Sequence, residues 1–157
     1  MSPASLASDP AFLVVPERWQ QNLAEYPGRK AAYDAKLAEW DQLMKPFHGT
    51  KVVTYHKSFD YFIDHFGLEL AGTIEPKPGI EPSPTHISAL IPRVKEQGVK
   101  LIMVESFRPR KTPEYVARAS GAKLLLLAGS VDANEKVKDY FALFDYDVAQ
   151  IVQALKQ

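Results

Sequence analysis

The 157-residue sequence predicts an α/β fold, with about four mainly parallel strands flanked by helices and a long helical segment ahead of them. Three observations carry this reading. From Lys51 onward, short aliphatic runs alternate with stretches whose apolar residues recur every three or four positions. The connections between them are a few residues long, which favours right-handed crossovers and parallel pairing. Before Lys51 only the helical spacing is present.

Taken in order, residues 1–15 read as a loose leader with an apolar patch from Phe12 to Val15. Pro16 suits the first turn of a helix, with Trp19, Leu23 and Tyr26 following at helical spacing. Pro27-Gly28 reads as an interruption. From Arg29 to about Lys45, the positions Ala32, Tyr33, Leu37, Trp40, Leu43 and Met44 keep the spacing of an amphipathic helix, which Pro46 and Gly49 end.

The remainder, residues 49–157, reads as the α/β unit. Lys51 to Tyr55 is a β-branched strand, and Ser58 is placed to cap a helix running to Phe66. Leu68 to Ile74 is a second strand, followed by a proline-rich loop to Pro84. Ser83 caps a helix to about Gln97, with Pro84 at its first position. Val99 to Glu105 is apolar enough to be buried on both faces. Thr112 with Pro113 opens the next helix, Lys123 to Ala128 is the fourth strand, and a helix from Tyr140 to Leu155 closes the chain.

Composition narrows the function classes. Hydrophobic residues at 46% and charged residues at 24% are the balance of a globular protein. Lys+Arg and Asp+Glu both number 19, so no net charge points to nucleic acid or an anionic membrane. The absence of cysteine removes thiolate chemistry and leaves His, Asp and Glu as the strong metal ligands. The first ten residues carry no basic start followed by an apolar run, so no signal peptide is expected. The longest apolar stretch, Leu124 to Ala128, is far too short to span a bilayer.

Parallel sheets collect ligands at the carboxyl ends of their strands. That rule selects Tyr55 to Lys57, Glu75 to Glu81, Glu105 to Arg110 and Gly129 to Asp132. No phosphate loop stands at any of these turns, and no serine sits in a nucleophile elbow. Of the four histidines, His48 reads as an exposed residue beside a helix end. His65 reads as a helix-terminal partner of the dipole, and His86 as surface. His56 differs, because it ends a strand at the ligand-collecting edge.

The stretch from Val52 to Leu68, with Tyr55-His56, Tyr61-Phe62 and Phe66-Gly67-Leu68, resembles a segment of the zinc/manganese ABC-transporter solute-binding proteins. Four further stretches agree in order and spacing: Gly72 to Pro84, Gly98 to Glu105, the strand after Gly121, and Asp139 to Val148. The likeness runs from about residue 17 to the end. Members of that family have two lobes joined by a long helix, with Zn²⁺ or Mn²⁺ held between them. The resemblance implies that residues 16–48 correspond to the interlobe helix and 49–157 to the C-terminal lobe. It implies a non-enzymatic, periplasmic or extracellular metal carrier that docks on a membrane permease.

Carried over by position, His56 matches the third metal ligand. The fourth ligand falls near Ser130, so its carboxylate is displaced to Asp132. Glu105 is a candidate ligand or partner of a ligand, or else an ion-pair mate of Arg108 or Arg110. The loop from Glu75 to Pro84 reads as structural. With one lobe's ligands only, weak metal binding is expected, and a homodimer pairing two copies of His56 is one way to complete a site. A metal-independent interaction module and a small flavodoxin-like enzyme are the alternatives.

Overall fold

The computed structural model describes residues 10–156, with side chains described from residue 24. Contacts divide the chain into two units, one ending at Ala38 and one from Glu39 to Gln157. The first nine residues of the expected leader lie outside the described residues. From Pro10 the chain is already helical, and the helix α1 (Pro10–Met44) is continuous over 35 residues, about 52 Å at 1.5 Å per residue.

The interruption expected at Pro27-Gly28 is therefore absent. Proline removes one N–H and crowds the carbonyl one turn earlier, yet good helix formers flank it, Leu23-Ala24-Glu25 before and Arg29 to Ala32 after. Residues 24–30 are all exposed, so the proline ring meets no packed neighbour. A side chain built at Gly28 likewise meets nothing within 4 Å.

In the larger unit, four strands form one sheet in the order β2-β1-β3-β4. They are β1 (Lys51–Thr54), β2 (Glu69–Thr73), β3 (Leu101–Glu105) and β4 (Lys123–Leu127), and every pairing is parallel. The helices are α2 (Asp60–His65), α3 (Pro84–Glu96), α4 (Lys111–Ser120) and α5 (Tyr140–Lys156). The α/β expectation thus holds. β3 is buried along its whole length, as its unbroken apolar run requires.

Strand alternation divides the core in two. Val53, Tyr55, Ile74, Ile102 and Val104 pack on one face against Ile87, Leu90 and Val94 of α3 and Val116 of α4. Val52, Thr54, Leu101, Met103 and Leu127 belong to the opposite face, and are buried as are Val148 and Ile151 of α5. The last turn of α1 closes its own part of this unit. Trp40 and Met44 are buried, and the Trp40 ring stacks on Phe144 at 4.9 Å while its Nε1–H donates to Asp145 at 2.8 Å.

Two expected caps are replaced. Ser58 lies in a 3₁₀ turn, Lys57–Phe59, and α2 starts after it without a side-chain cap. The Ser58 hydroxyl bonds Glu105 instead. Helix α4 begins at Lys111, one residue before the expected Thr112 cap, and Arg110 at its N-cap makes no side-chain cap bond. Ser83 does cap α3, accepting from the His86 N–H at 3.2 Å.

Candidate functional site

The strand order places the break in winding between β1 and β3, the position where open parallel sheets bind ligands. The registers then set which residues meet there. β1 pairs with β3 at a constant offset of 49, from Val52↔Leu101 to Thr54↔Met103. The Tyr55 N–H bonds the Met103 carbonyl, so the ladder continues past the strand end. At this offset His56 stands opposite Glu105.

The β2 side is set by a bulge. Lys51↔Glu69 and Val52↔Leu70 share an offset of 18, whereas Val53↔Gly72 and Thr54↔Thr73 share 19. Ala71 is the extra residue, and its carbonyl accepts the Arg93 guanidinium at 3.0 Å. The bulge advances everything after it by one residue. Glu75 therefore stands opposite His56, where an unbulged register would put Ile74. The Glu75 N–H bonds the Tyr55 carbonyl at 2.9 Å and completes the alignment. One rung thus runs Glu75, His56, Glu105, with all three side chains on the same face.

Within this rung, the His56 Nδ1 is paired with Glu75 Oε2. The other oxygen, Oε1, accepts the Gly79 N–H at 2.9 Å. Gly79 has φ +77° in the turn that links Lys77 to Ile80, a conformation suited to glycine. The hydrogen bond to His56 pulls the Glu75 carboxyl below its usual range, burial opposes it, and Gly79, the charge of His56 and Arg108 reinforce it. His56 keeps a quarter of its side-chain surface exposed, and Glu75 is 9% exposed.

Glu105 is 1% exposed. Its Oε1 accepts the Ser58 hydroxyl at 2.5 Å and faces Arg108 Nε at 3.5 Å. Arg108 also lies over the Tyr55 ring, 5.7 Å from its centroid. Burial raises the Tyr55 phenol, with Glu75 adding to the effect and Arg108 opposing it. Among the described residues, three buried polar atoms lack hydrogen-bond partners: Thr54 Oγ1, Glu105 Oε2 and Arg108 Nε. All three sit at this end of the sheet. Gly129, after β4, closes the other side, where a Cβ would lie 3.0 Å from Glu105 Cγ. A cavity of about 170 Å³ opens beside it, lined by Ser58, Phe62, Phe144 and Asp147.

The structure therefore groups His56 with Glu75 and, through the Ser58 turn, with Glu105. Asp132 stands apart in the loop after β4. Its side chain is 70% exposed and paired with Lys138 at 3.3 Å, and its φ is +62°. Among the described residues, no three His, Asp or Glu side chains are grouped so as to hold a metal ion. The residue that sequence reasoning missed is Glu75. Its position at a strand end was legible, but the bulge that turns it toward His56 was not.

Two of the remaining histidines have partners within the fold. His65 pairs through Nε2 with Asp41 at 2.8 Å, and His86 Nε2 meets the Thr73 carbonyl at 3.0 Å. His86 thus ties α3 to β2 instead of standing free on the surface. His48 is exposed, and its ring lies against Gly67, 3.2 Å from where a Cβ would be.

Comparison with known proteins agrees with this architecture. The chain is 24% identical over 141 residues to the metal ABC transporter substrate-binding lipoprotein FimA of Streptococcus parasanguinis, covering 84% of this chain and 46% of that protein. It is 26% identical over 95 residues to the high-affinity zinc uptake system protein ZnuA of Brucella abortus, covering 57% and 28% respectively. Among solved structures, it matches the SBP FpvC from Pseudomonas aeruginosa in complex with Mn²⁺, with a TM-score of 0.68 and 27% identity. That match covers 89% of this chain and 55% of the other. The laminin binding protein Lmb of Streptococcus agalactiae matches with a TM-score of 0.73 and 25% identity over the same shares. The chain spans about half the length of FimA and of the two solved structures, and 28% of that ZnuA. The family model for the zinc-uptake complex component A, periplasmic, matches residues 16–154, nearly the whole sequence. The chain belongs to this family of zinc and manganese ABC-transporter substrate-binding proteins.

Proposed function

We propose that this chain is the C-terminal, metal-facing lobe of a Zn²⁺ or Mn²⁺ solute-binding protein serving an ABC permease in the periplasm or at the cell exterior. The observation that carries this reading is the placement of His56. It is a partly exposed imidazole at the winding break of a parallel sheet, held through one ring nitrogen by a buried carboxylate. The role is binding and delivery, not catalysis, in keeping with relatives that are substrate-binding proteins. Among the described residues no helix is long and apolar enough to cross a membrane.

His56 is the lobe's principal ligand. Asp132 would join it only by leaving Lys138, a step that costs little at an exposed ion pair. Glu105, buried and bonded to Ser58, supports the His56 turn. One or two ligands fall well short of the roughly 10–16 kcal/mol of complete structural zinc sites. Neither alternative, a metal-independent interaction module or a flavodoxin-like enzyme, is favoured by the family match.

Calorimetric titration of this chain and of its His56→Ala variant with Zn²⁺ tests the proposal. Weak binding that disappears in the variant supports it. Binding of equal strength in both overturns it.

A further inference from the structure

We propose that Glu75 is a positioning residue that locks the His56 ring as its Nδ1–H tautomer and so presents Nε2, with its lone pair, as the metal-binding atom. This inference rests on the reading of His56 as a metal ligand.

The chemistry of the contact decides the tautomer. An ionised carboxylate only accepts hydrogen bonds, so the ring nitrogen against Glu75 Oε2 must carry the hydrogen. The opposite tautomer would set the Nδ1 lone pair against a carboxylate oxygen, with no hydrogen between two acceptors. Neutral His56 has one ring hydrogen, and once Nδ1 holds it Nε2 is left bare. Among the described residues Nε2 makes no protein hydrogen bond, and the ring is a quarter exposed. A metal-bound histidine characteristically gives its second N–H to such a carboxylate, which fixes ring orientation and raises ligand basicity.

The carboxylate cannot easily leave. Its second oxygen is held by the Gly79 N–H, its backbone by the Tyr55 carbonyl, and its side chain is almost wholly buried. The bulge absorbs Ala71 and so keeps Glu75, instead of Ile74, opposite His56. Two features thus converge on one contact: the Gly79 turn, and the β1–β2 ladder continued past the bulge that Arg93 satisfies. The proline-rich loop acquires a role from this. It holds the carboxylate that aims the ligand.

Long-range ¹H–¹⁵N spectra of the full chain, ¹⁵N-labelled at histidine and metal-free at about pH 8, where imidazole is neutral, test the lock. In the wild-type chain the lock predicts a protonated His56 Nδ1 and an unprotonated Nε2. In Glu75→Ala it predicts a shift toward the Nε2–H form, with zinc affinity reduced roughly 10- to 100-fold. His65 and His86 report in the same spectra that the variant is folded, since their partners Asp41 and Thr73 are untouched. An Nε2–H His56 in the wild-type chain overturns the lock, and needs no variant to be seen. So does a Glu75→Ala protein with wild-type tautomer and affinity. An Nδ1–H His56 in a chain whose zinc binding ignores His56→Ala overturns the metal reading instead, and with it the purpose assigned to the lock.

Discussion

The Asp147 carboxylate of α5 accepts the Ala128 N–H at 2.7 Å and the Gly129 N–H at 3.3 Å, fastening the last helix to the end of β4. Burial pushes this carboxyl above its ordinary value of 3.8, while the two N–H donors pull it down. A raised folded-state value means the native protein holds the proton more tightly than the unfolded chain. The stabilising contribution is therefore complete below 3.8 and is lost as pH rises through the higher folded-state value. Asp147→Asn keeps an oxygen for Ala128 and removes the charge. We expect the stability difference between wild type and variant to change in favour of the variant as pH rises from about 4 to 7. Urea midpoints at stepped pH measure it.

Gly129 holds φ +69°, facing the buried Glu105. Alanine there brings a Cβ to 3.0 Å from Glu105 Cγ in a backbone region that side chains avoid. We expect Gly129→Ala to cost roughly 1–3 kcal/mol. Glu105 has little space to yield, since its oxygen is engaged by Ser58. Chemical denaturation checks the magnitude, and a weakened zinc isotherm would report displacement of the Ser58 turn.

Trp40 is 1% exposed and fills the space beside Phe144 and Phe141. Truncation to alanine opens a large cavity and strips Asp145 of the indole N–H. Trp40→Ala is expected to lose roughly 3–5 kcal/mol, seen as a lower melting temperature.

Most of the fold was legible because the strands announce themselves. β3 and β4 are uninterrupted aliphatic runs bounded by Gly98, Gly121 and Gly129. Helix α1 was misread at Pro27 because a single proline in an exposed helix is a weaker stop than it looks in sequence. The position of His56 followed from its strand end. Glu75 was overlooked because register is a property of two strands together: nothing in the run Glu69 to Thr73 says that Ala71 is skipped. Ser58 was misassigned for a related reason, since its partner Glu105 lies 47 residues away.

That bulge can be tested. Deleting Ala71 removes the extra residue and leaves Gly72 opposite Val53 and Glu75 opposite His56 in an unbulged ladder. We expect the deletion to keep the His56 tautomer preference and to leave zinc binding close to that of the wild-type chain, unlike Glu75→Ala, which is expected to weaken it roughly 10- to 100-fold. Histidine NMR together with calorimetry measures both effects.

The central claim is that His56, alone among four histidines, faces the metal. Titrating zinc into the ¹⁵N-histidine-labelled chain tests it most directly. His56 Nε2 is expected to shift at the lowest zinc additions while His48, His65 and His86 stay in place. Early shifts at His48 or His65 with His56 unmoved would contradict it.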